Sequence, residues 1–316
     1  MSDSHENRTG RAGGEEAEGD LGGAPRDVAE KKSPRTVRAV RSRFKPAPEA
    51  GMRLEERDRE LLCDLFWQRA MSRGQLQRLY FSSLVRANAR LRLLFDHGFV
   101  TRYFLPAAPY GAQAVYSLGK AAIPAVARAL ELEEDEVKKQ CRFSGTPTFL
   151  EHTLAIVEVR LALQEAAGKE PGLEFDLWVP EPLCRHEPVG GLGPWRKEVF
   201  KPDGFARLRR VEDDAYFSFF LEADLGHTSA RQFAGKVAMH GKYLRQGLFR
   251  EIYGTDTFQT LVVTTGPRRV GNLLALCREM GSGLFRFTTF AQLEQEGPLA
   301  AIWQGPFDTS PLPLCG

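Results

Sequence analysis

The 316-residue chain is 42% hydrophobic and 27% charged, with a formal net charge of +2 and five scattered cysteines. These values indicate a globular protein of one large or two ordinary domains, and the small net charge does not by itself indicate a nucleic-acid partner. The cysteines form no CxxC pair, which argues against a disulfide framework or a zinc site. No apolar run approaches the roughly 18–20 residues of a membrane span, and the start lacks signal-peptide features, so we expect a cytoplasmic protein without a membrane partner.

The first 53 residues are poor in large apolar side chains, and this composition predicts disorder. Residues 31–45 form a basic arm that contains no acid. Its cations are Lys31, Lys32, Arg35, Arg38, Arg41, Arg43 and Lys45. Such an arm either follows DNA phosphates by counterion release or serves as a solubilising linker, and both interpretations fit the sequence.

Residues 54–118 have the order of a winged helix-turn-helix. A helical stripe at 57–69 is followed by Ser72 as the N-cap of a second helix, and a third helix ends at His97-Gly98. Two alternating segments at 99–105 and 114–118 predict the hairpin, or wing. In this arrangement the third helix enters the major groove of DNA and the hairpin lies on the backbone or the minor groove.

Four arginines are the DNA-binding candidates of this region. Arg86 points away from the predicted apolar stripe of the third helix, Arg90 and Arg92 flank it, and Arg102 lies on the wing with Tyr103 and Tyr110. The position of these cations on the outward face favours duplex DNA as the partner. The alternatives are an ordinary solvated face or a protein-contact module.

Residues 119–147 are predicted as a helical bridge and linker, and 148–292 as a second domain followed by a tail at 293–316. Thr148 with Glu151 reads as a capping box that opens the first helix of this domain. The predicted order is helix, three strands, helix, strand, helix, strand. We therefore expect an α+β or α/β fold with a mixed sheet and helices on its faces.

Acidic residues lie at the ends of two adjacent predicted strands. Asp203 follows Pro202 at the start of one strand, and Glu222 and Asp224 end the next. Carboxylates that converge in this way are the oxygen ligands that Mg²⁺ prefers, and a bound Mg²⁺ organises phosphoryl chemistry. The alternative is a solvated hairpin whose acids merely end strands.

The helix after these strands offers further candidates on one face, namely Gln232, Lys236, His240 and Tyr243. From this face Lys236 would reach a phosphate. On the preceding predicted helix, Glu151 or Glu158 is a candidate for one more carboxylate, whereas His152 is expected to be a packing residue.

The order of these elements resembles the core of the PD-(D/E)xK nuclease superfamily, a restriction-endonuclease-like fold. Asp203 matches its first motif and Glu222 the acid of its second, but Glu222-Ala223-Asp224 stands where that pattern has Glu-x-Lys. The resemblance implies catalytic roles for Asp203, Glu222 and Asp224, with Asp203 and Glu222 as Mg²⁺ ligands in an active enzyme. Lys236 would replace the missing lysine.

The chain also resembles the bacterial replication-relaxation family over about residues 54–289. The resemblance rests on the winged-helix pattern, on Lys-Pro-Asp-Gly at 201–204 and on Phe-Phe-Leu-Glu-Ala-Asp-Leu-Gly-His-Thr at 219–228. It implies a role in plasmid or mobile-element replication and DNA relaxation, with replication proteins as further partners. Glu-x-Asp is usual in that family, which implies a nuclease-like domain whose activity is altered or absent.

We therefore expect a two-domain DNA-binding protein. Three alternatives stay open at this point: an active Mg²⁺-dependent DNA endonuclease, a winged-helix transcriptional regulator without DNA chemistry, and a protein-interaction scaffold. Strong metal dependence would mark the nuclease, and a discrete operator sequence would mark the regulator.

Overall fold

The computed structural model of the protein describes residues 40–41, 52–106, 112–141, 145–186 and 199–315. Within this part of the chain, ten α-helices and two β-sheets form an α+β fold, which confirms the predicted class. Apart from the backbone of Val40 and Arg41, the predicted basic arm lies outside the described residues, as do Tyr110 and the predicted loop at 188–194. All described residues belong to one compact unit that spans residues 38–316.

Three helices open the described stretch that starts at residue 52, as the sequence predicts. They are α1 (Glu56–Gln68), α2 (Arg73–Tyr80) and α3 (Leu84–Asp96). Ser72 caps α2 by accepting from the Gln75 N–H, and the Gln75 side chain accepts in return from the Ser72 N–H, which satisfies two backbone donors at the helix start. The sequence predicts Leu84, Ala87, Asn88, Leu91 and Phe95 on the apolar face of α3. In the structure Ala87, Leu91, Leu94 and Phe95 are buried, whereas Leu84 and Asn88 are exposed.

An antiparallel sheet packs beside the three helices. Its strands are β1 (Val40–Arg41), β2 (Met71–Ser72), β3 (Val100–Pro106) and β4 (Ala112–Leu118), in the spatial order β1-β3-β4-β2. The hairpin β3–β4 pairs from Val100 with Leu118 to Pro106 with Ala112. Gly119 closes its base against the chain at Gly98, where any Cβ would lie 2.2 Å from the Gly98 carbonyl oxygen.

Three more helices lead to the second sheet, namely α4 (Ile123–Leu130), α5 (Glu134–Gln140) and α6 (Pro147–Lys169). The prediction that Thr148 and Glu151 open α6 is wrong. Thr146 is the N-cap, accepting from the Phe149 N–H, because Pro147 occupies the first helical position, where its missing N–H costs nothing.

Helix α6 is buried on two opposite faces. Val157 and Leu161 pack into the core of the three N-terminal helices, whereas Val159, Leu163 and Ala167 pack against the second sheet. Polar contacts reinforce the first of these interfaces. Gln75 Nε2 donates to the Leu154 carbonyl at 2.8 Å, and Arg160 pairs with Asp64 at 3.0 Å.

The second sheet has five strands in the order β5-β6-β7-β8-β9, namely β5 (Leu173–Pro180), β6 (Gly204–Arg210), β7 (Ala215–Asp224), β8 (Gln259–Thr264) and β9 (Phe285–Thr289). The first three strands are antiparallel, and β7, β8 and β9 are parallel. The remaining helices are α7 (Ala230–Gln246), α8 (Leu248–Tyr253), α9 (Pro267–Glu279) and α10 (Phe290–Glu296).

Two parts of this region differ from the sequence prediction. The sequence predicts a strand over residues 199–208, but β6 begins at Gly204, and Phe200 forms an isolated bridge with His186. The residues predicted as a tail pack into the core, where Trp303 is buried and its indole N–H donates to the Pro298 carbonyl at 2.7 Å. Because Trp303 and Ile302 cover one face of the sheet, this segment completes the core.

We expect Leu161→Ala to lower the free energy of unfolding by about 2–5 kcal/mol, because it leaves a cavity under α6. Urea denaturation followed by tryptophan fluorescence measures the loss. The matched control is Leu93→Ala, an exposed leucine of α3, which should change stability by less than about 0.5 kcal/mol. Equal effects of the two substitutions would contradict the shared-core role of α6.

Candidate functional site

Three buried carboxylates meet at one end of the second sheet. Asp203 directly precedes β6, and Glu222 and Asp224 end β7. Because β6 and β7 are antiparallel, the start of one lies beside the end of the other, and Gly204 pairs with Leu221. The Ala223 N–H donates to Asp203 Oδ2 at 2.8 Å, which holds that carboxylate against β7.

Glu222 is held by two side chains of α7. Lys236 Nζ donates to Glu222 Oε2, and His240 Nε2 lies 3.2 Å from Oε1. On its other side, His240 Nδ1 lies 2.8 Å from the hydroxyl of Thr260 on β8. A histidine tautomer with the proton on Nε2 donates to Glu222 and accepts from Thr260, so both ring nitrogens are satisfied. The spacing of Lys236 and His240, four residues apart, places both on the helix face that meets the sheet.

The Lys236 ammonium is kept charged by this arrangement. Burial favours the neutral amine, but the charges of Glu222 and Asp203 outweigh burial and raise the pKa of Lys236.

Asp203 pairs with His152 of α6, whose Nε2 lies 3.2 Å from Asp203 Oδ2. Burial opposes ionisation of Asp203, but the hydrogen bond and charge of His152 outweigh it, and the pKa of Asp203 is lowered. Burial likewise favours neutral His152, yet the hydrogen bond and charge of Asp203 raise the pKa of the imidazole. The structure therefore makes His152, expected to be a packing residue, a member of this site.

Asp224 has a separate partner in Arg269 of α9, which sequence reasoning missed. Arg269 Nε donates to Asp224 Oδ2 at 2.7 Å and Nη2 donates to Oδ1 at 3.1 Å, while the Thr264 hydroxyl donates to Oδ2 at 2.8 Å. Burial opposes ionisation, but these donors lower the pKa of Asp224. The sequence carried one signal for Arg269, its place in the first turn of a helix that follows a strand ending at the same sheet edge as Asp224.

Two cavities open onto this cluster, with volumes of about 380 and 470 Å³, and His152, Glu222 and Lys236 line both. The first is closed by residues that precede or begin α6 and α7, including Thr146, Thr148, His227 and Thr228. Asp203 and Gln232 line the second. The volumes fall within the range of about 300–1,000 Å³ that is usual for small-ligand sites.

As the structure arranges them, these carboxylates do not fit Mg²⁺. Both oxygens of Glu222 and both of Asp224 are engaged by protein donors, and Asp203 Oδ2 receives two more contacts. Mg²⁺ is bound in near-octahedral geometry through one or two carboxylates, so Glu222 or Asp224 could join Asp203 as a ligand only after its protein cation has moved. Among the described residues, no group of three or more His, Cys, Asp or Glu side chains is arranged to hold a metal ion.

Three further site candidates, Gln232, Glu151 and Glu158, lie elsewhere or have other contacts. Gln232 Oε1 accepts from the Ser229 N–H at 2.9 Å in the capping box of α7. Glu151 is exposed and lines a different cavity. Glu158 pairs with Arg78 of α2, away from Asp203.

The four predicted DNA-binding arginines have different surroundings. Arg86 is exposed, its guanidinium donates to the Ser82 hydroxyl at 3.1 Å, and it has no acidic partner among the described residues. Arg92 forms an exposed pair with Asp96 at 2.7 Å. Arg102 lies over the Phe95 ring, 4.6 Å from its centroid.

Arg90 is held inside the fold, and this differs from the expected role. Its Nε donates to the fully buried Asp58 at 2.9 Å and its Nη2 donates to the Arg53 carbonyl at 3.1 Å. A buried carboxylate needs a paired cation, so Arg90 serves the contact between α1 and α3 and is not available to DNA.

The architecture and site define an α+β protein whose mixed sheet carries an acid–lysine cluster at one end. A family model described as replication-relaxation matches residues 62–257, which is more than half of the chain. The protein therefore belongs to the replication-relaxation family, and this membership supports a replication-related function. No curated protein and no solved structure matches the chain. None of the helices that the structure describes has the length and apolar character needed to cross a bilayer.

The pair of Asp203 and His152 should make stability depend on pH. The raised pKa of His152 adds stability that is full below its ordinary value of 6.5 and is lost as pH rises through the folded-state pKa. The lowered pKa of Asp203 adds stability above its ordinary value of 3.8 that is lost as pH falls through the folded-state pKa. The contribution of the pair is therefore largest between about pH 4 and 6.5.

We expect the loss of stability in His152→Gln to be larger at pH 5 than at pH 9, as measured by urea denaturation of variant and wild type at both values. His227→Gln is the control, because His227 is exposed and has no acidic partner among the described residues. A loss in His152→Gln that is the same at both pH values would contradict the ion pair.

Proposed function

We propose that the protein binds duplex DNA during replication or relaxation of a plasmid or mobile element, with replication proteins as further partners. In this proposal α1–α3 and the hairpin β3–β4 act as a winged helix-turn-helix. The part from α6 to β8 acts as a PD-(D/E)xK-like domain that lacks metal-dependent cleavage. Family membership supports the replication context, and the order of the elements supports the two fold interpretations.

The observation that carries the proposal is the outward face of α3. Arg86 is exposed on that face, and Asn88 is exposed on the opposite flank of the helix; neither has an acidic partner among the described residues. Arginine and asparagine are the side chains that pair bidentately with guanine and adenine in the major groove. The opposite face of α3 is buried in the core, so the helix is held while these groups remain available.

Arg92 and Arg102 suit the supporting role of phosphate contacts. The side chain of Arg92 is half exposed beside its partner Asp96, one helical turn away on α3, so its guanidinium is accessible to a DNA phosphate. Arg102 lies on β3, within the wing. Phosphate contacts of this type position the protein without reading sequence.

We expect Arg86→Ala to weaken duplex binding by about 1–3 kcal/mol, or about 5- to 150-fold in Kd, if Arg86 contacts a base edge. Fluorescence anisotropy with a labelled duplex in EDTA, over a range of salt concentrations, measures the change. The matched control is Arg250→Ala, an exposed arginine of α8, which should leave Kd unchanged. The proposal fails if both variants bind as wild type does.

A cleavage assay on the purified protein tests two alternatives, an active endonuclease and a transcriptional regulator without DNA chemistry. Incubation with supercoiled, linear and single-stranded DNA, with Mg²⁺ and with EDTA, reports cleavage directly. Because every acid of the cluster has a protein cation as partner, we expect no metal-dependent nicking. Metal-dependent nicking that disappears in Lys236→Met would establish the nuclease instead, and tight binding to one discrete sequence would favour the regulator.

A further inference from the structure

The acid cluster presents cations, not carboxylates, to its cavities. The side chains of Lys236 and His152 are each 38% exposed, whereas those of Asp203 and Glu222 are 10% and 3% exposed. Asp224 is 4% exposed and paired with Arg269. A ligand that enters either cavity therefore meets an ammonium and an imidazole in front of the buried acids.

Both cationic groups retain donors for such a ligand. An ammonium has three N–H donors, and the described contacts use one of those of Lys236, the one to Glu222. His152 uses Nε2 for Asp203, and its Nδ1 has no partner among the described residues. Each of the two groups lies beside a buried carboxylate, and this contact favours its charged form by raising its pKa.

The cavity walls favour an anion as well. Thr146 and Thr148 at the start of α6, and His227 and Thr228 just before α7, line the cavity of about 380 Å³. The N-terminal ends of helices carry partial positive charge. These two helix starts therefore add positive electrostatic potential to that of Lys236 and His152 along the cavity wall.

We propose that Lys236 and His152 form a metal-free receptor for a phosphate group of DNA or of a nucleotide. The acids do not bind a metal in this arrangement. Asp203 orients His152, and Glu222 orients Lys236, while His240 holds Glu222 in place. The inference rests on the proposed DNA-binding function for its biological ligand, while the receptor is a property of these residues.

The test is a titration of the full-length protein with inorganic phosphate in EDTA, followed by the side-chain NMR signals of histidine. The signal missing in His152→Gln identifies His152. We expect phosphate to shift that signal, and Lys236→Met to weaken phosphate binding about tenfold or more, the loss of one charge-assisted hydrogen bond. Lys139→Met, an exposed lysine of α5 without an acidic partner among the described residues, is the matched control and should bind as wild type does.

Lys236→Met leaves the buried Glu222 without its lysine partner, and this variant could fail to fold. A second variant, His152→Gln, therefore provides an independent test. Calorimetric titration of His152→Gln with phosphate should show the same weakening, because His152 does not contact Glu222. The receptor is refuted if phosphate in EDTA leaves the His152 signal in place, if both variants bind phosphate as wild type does, or if binding appears only after Mg²⁺ is added.

Two further probes identify the source of the phosphate and separate this inference from the proposed function. A 5′-phosphorylated duplex that shifts His152 more strongly than adenosine monophosphate indicates DNA, and the reverse order indicates a free nucleotide. Arg86→Ala should lose duplex affinity and keep the response of His152 to inorganic phosphate. If wild type binds no DNA but phosphate still shifts His152, the DNA-binding function fails and the receptor stands.

Discussion

The packing of α6 on two sides is the constraint on which the rest of the structure depends. Its 23 residues bury Val157 and Leu161 in the N-terminal helices and Leu163 in the second sheet. Neither layer is complete without it, since each core loses one wall when α6 is removed. The amphipathic pattern of an ordinary surface helix is therefore absent from α6, which is apolar on opposite sides because it has protein on opposite sides.

The same helix brings His152 to the acid cluster. In that cluster each of three buried carboxylates is paired with a cation from α6, α7 or α9. Burial of a single unpaired carboxylate would cost several kcal/mol. The three ion pairs therefore form only when these helices pack against the sheet. Lys236 and His152 are more exposed than the acids they pair with, so a ligand in either cavity meets the cations first.

The N-terminal helices use buried charge in a similar way. Arg90 is held by the fully buried Asp58, which ties α3 to α1, whereas Arg86, one helical turn earlier, remains exposed. Two arginines of the same helix thus have unlike tasks, one in the scaffold and one on the surface. The distinction rests on where α1 packs, because only the arginine that faces α1 meets a buried carboxylate.

Local patterns were sufficient for the order of the main helices and strands, for the capping of α2 by Ser72, and for the convergence of Asp203 with Glu222. They missed the short elements β1, β2, α8 and α10. Periodicity and hairpin pairing are short-range properties of the chain, which is why a local pattern can predict them. Local patterns also pointed to Lys236, whose place on the helix face follows from its spacing to His240. The roles of His152, Arg269 and Arg90 depended on contacts between residues distant in sequence, which no local pattern encodes. The same holds for Trp303, buried in a segment that looked like a tail, because burial is decided by what the rest of the chain packs against it.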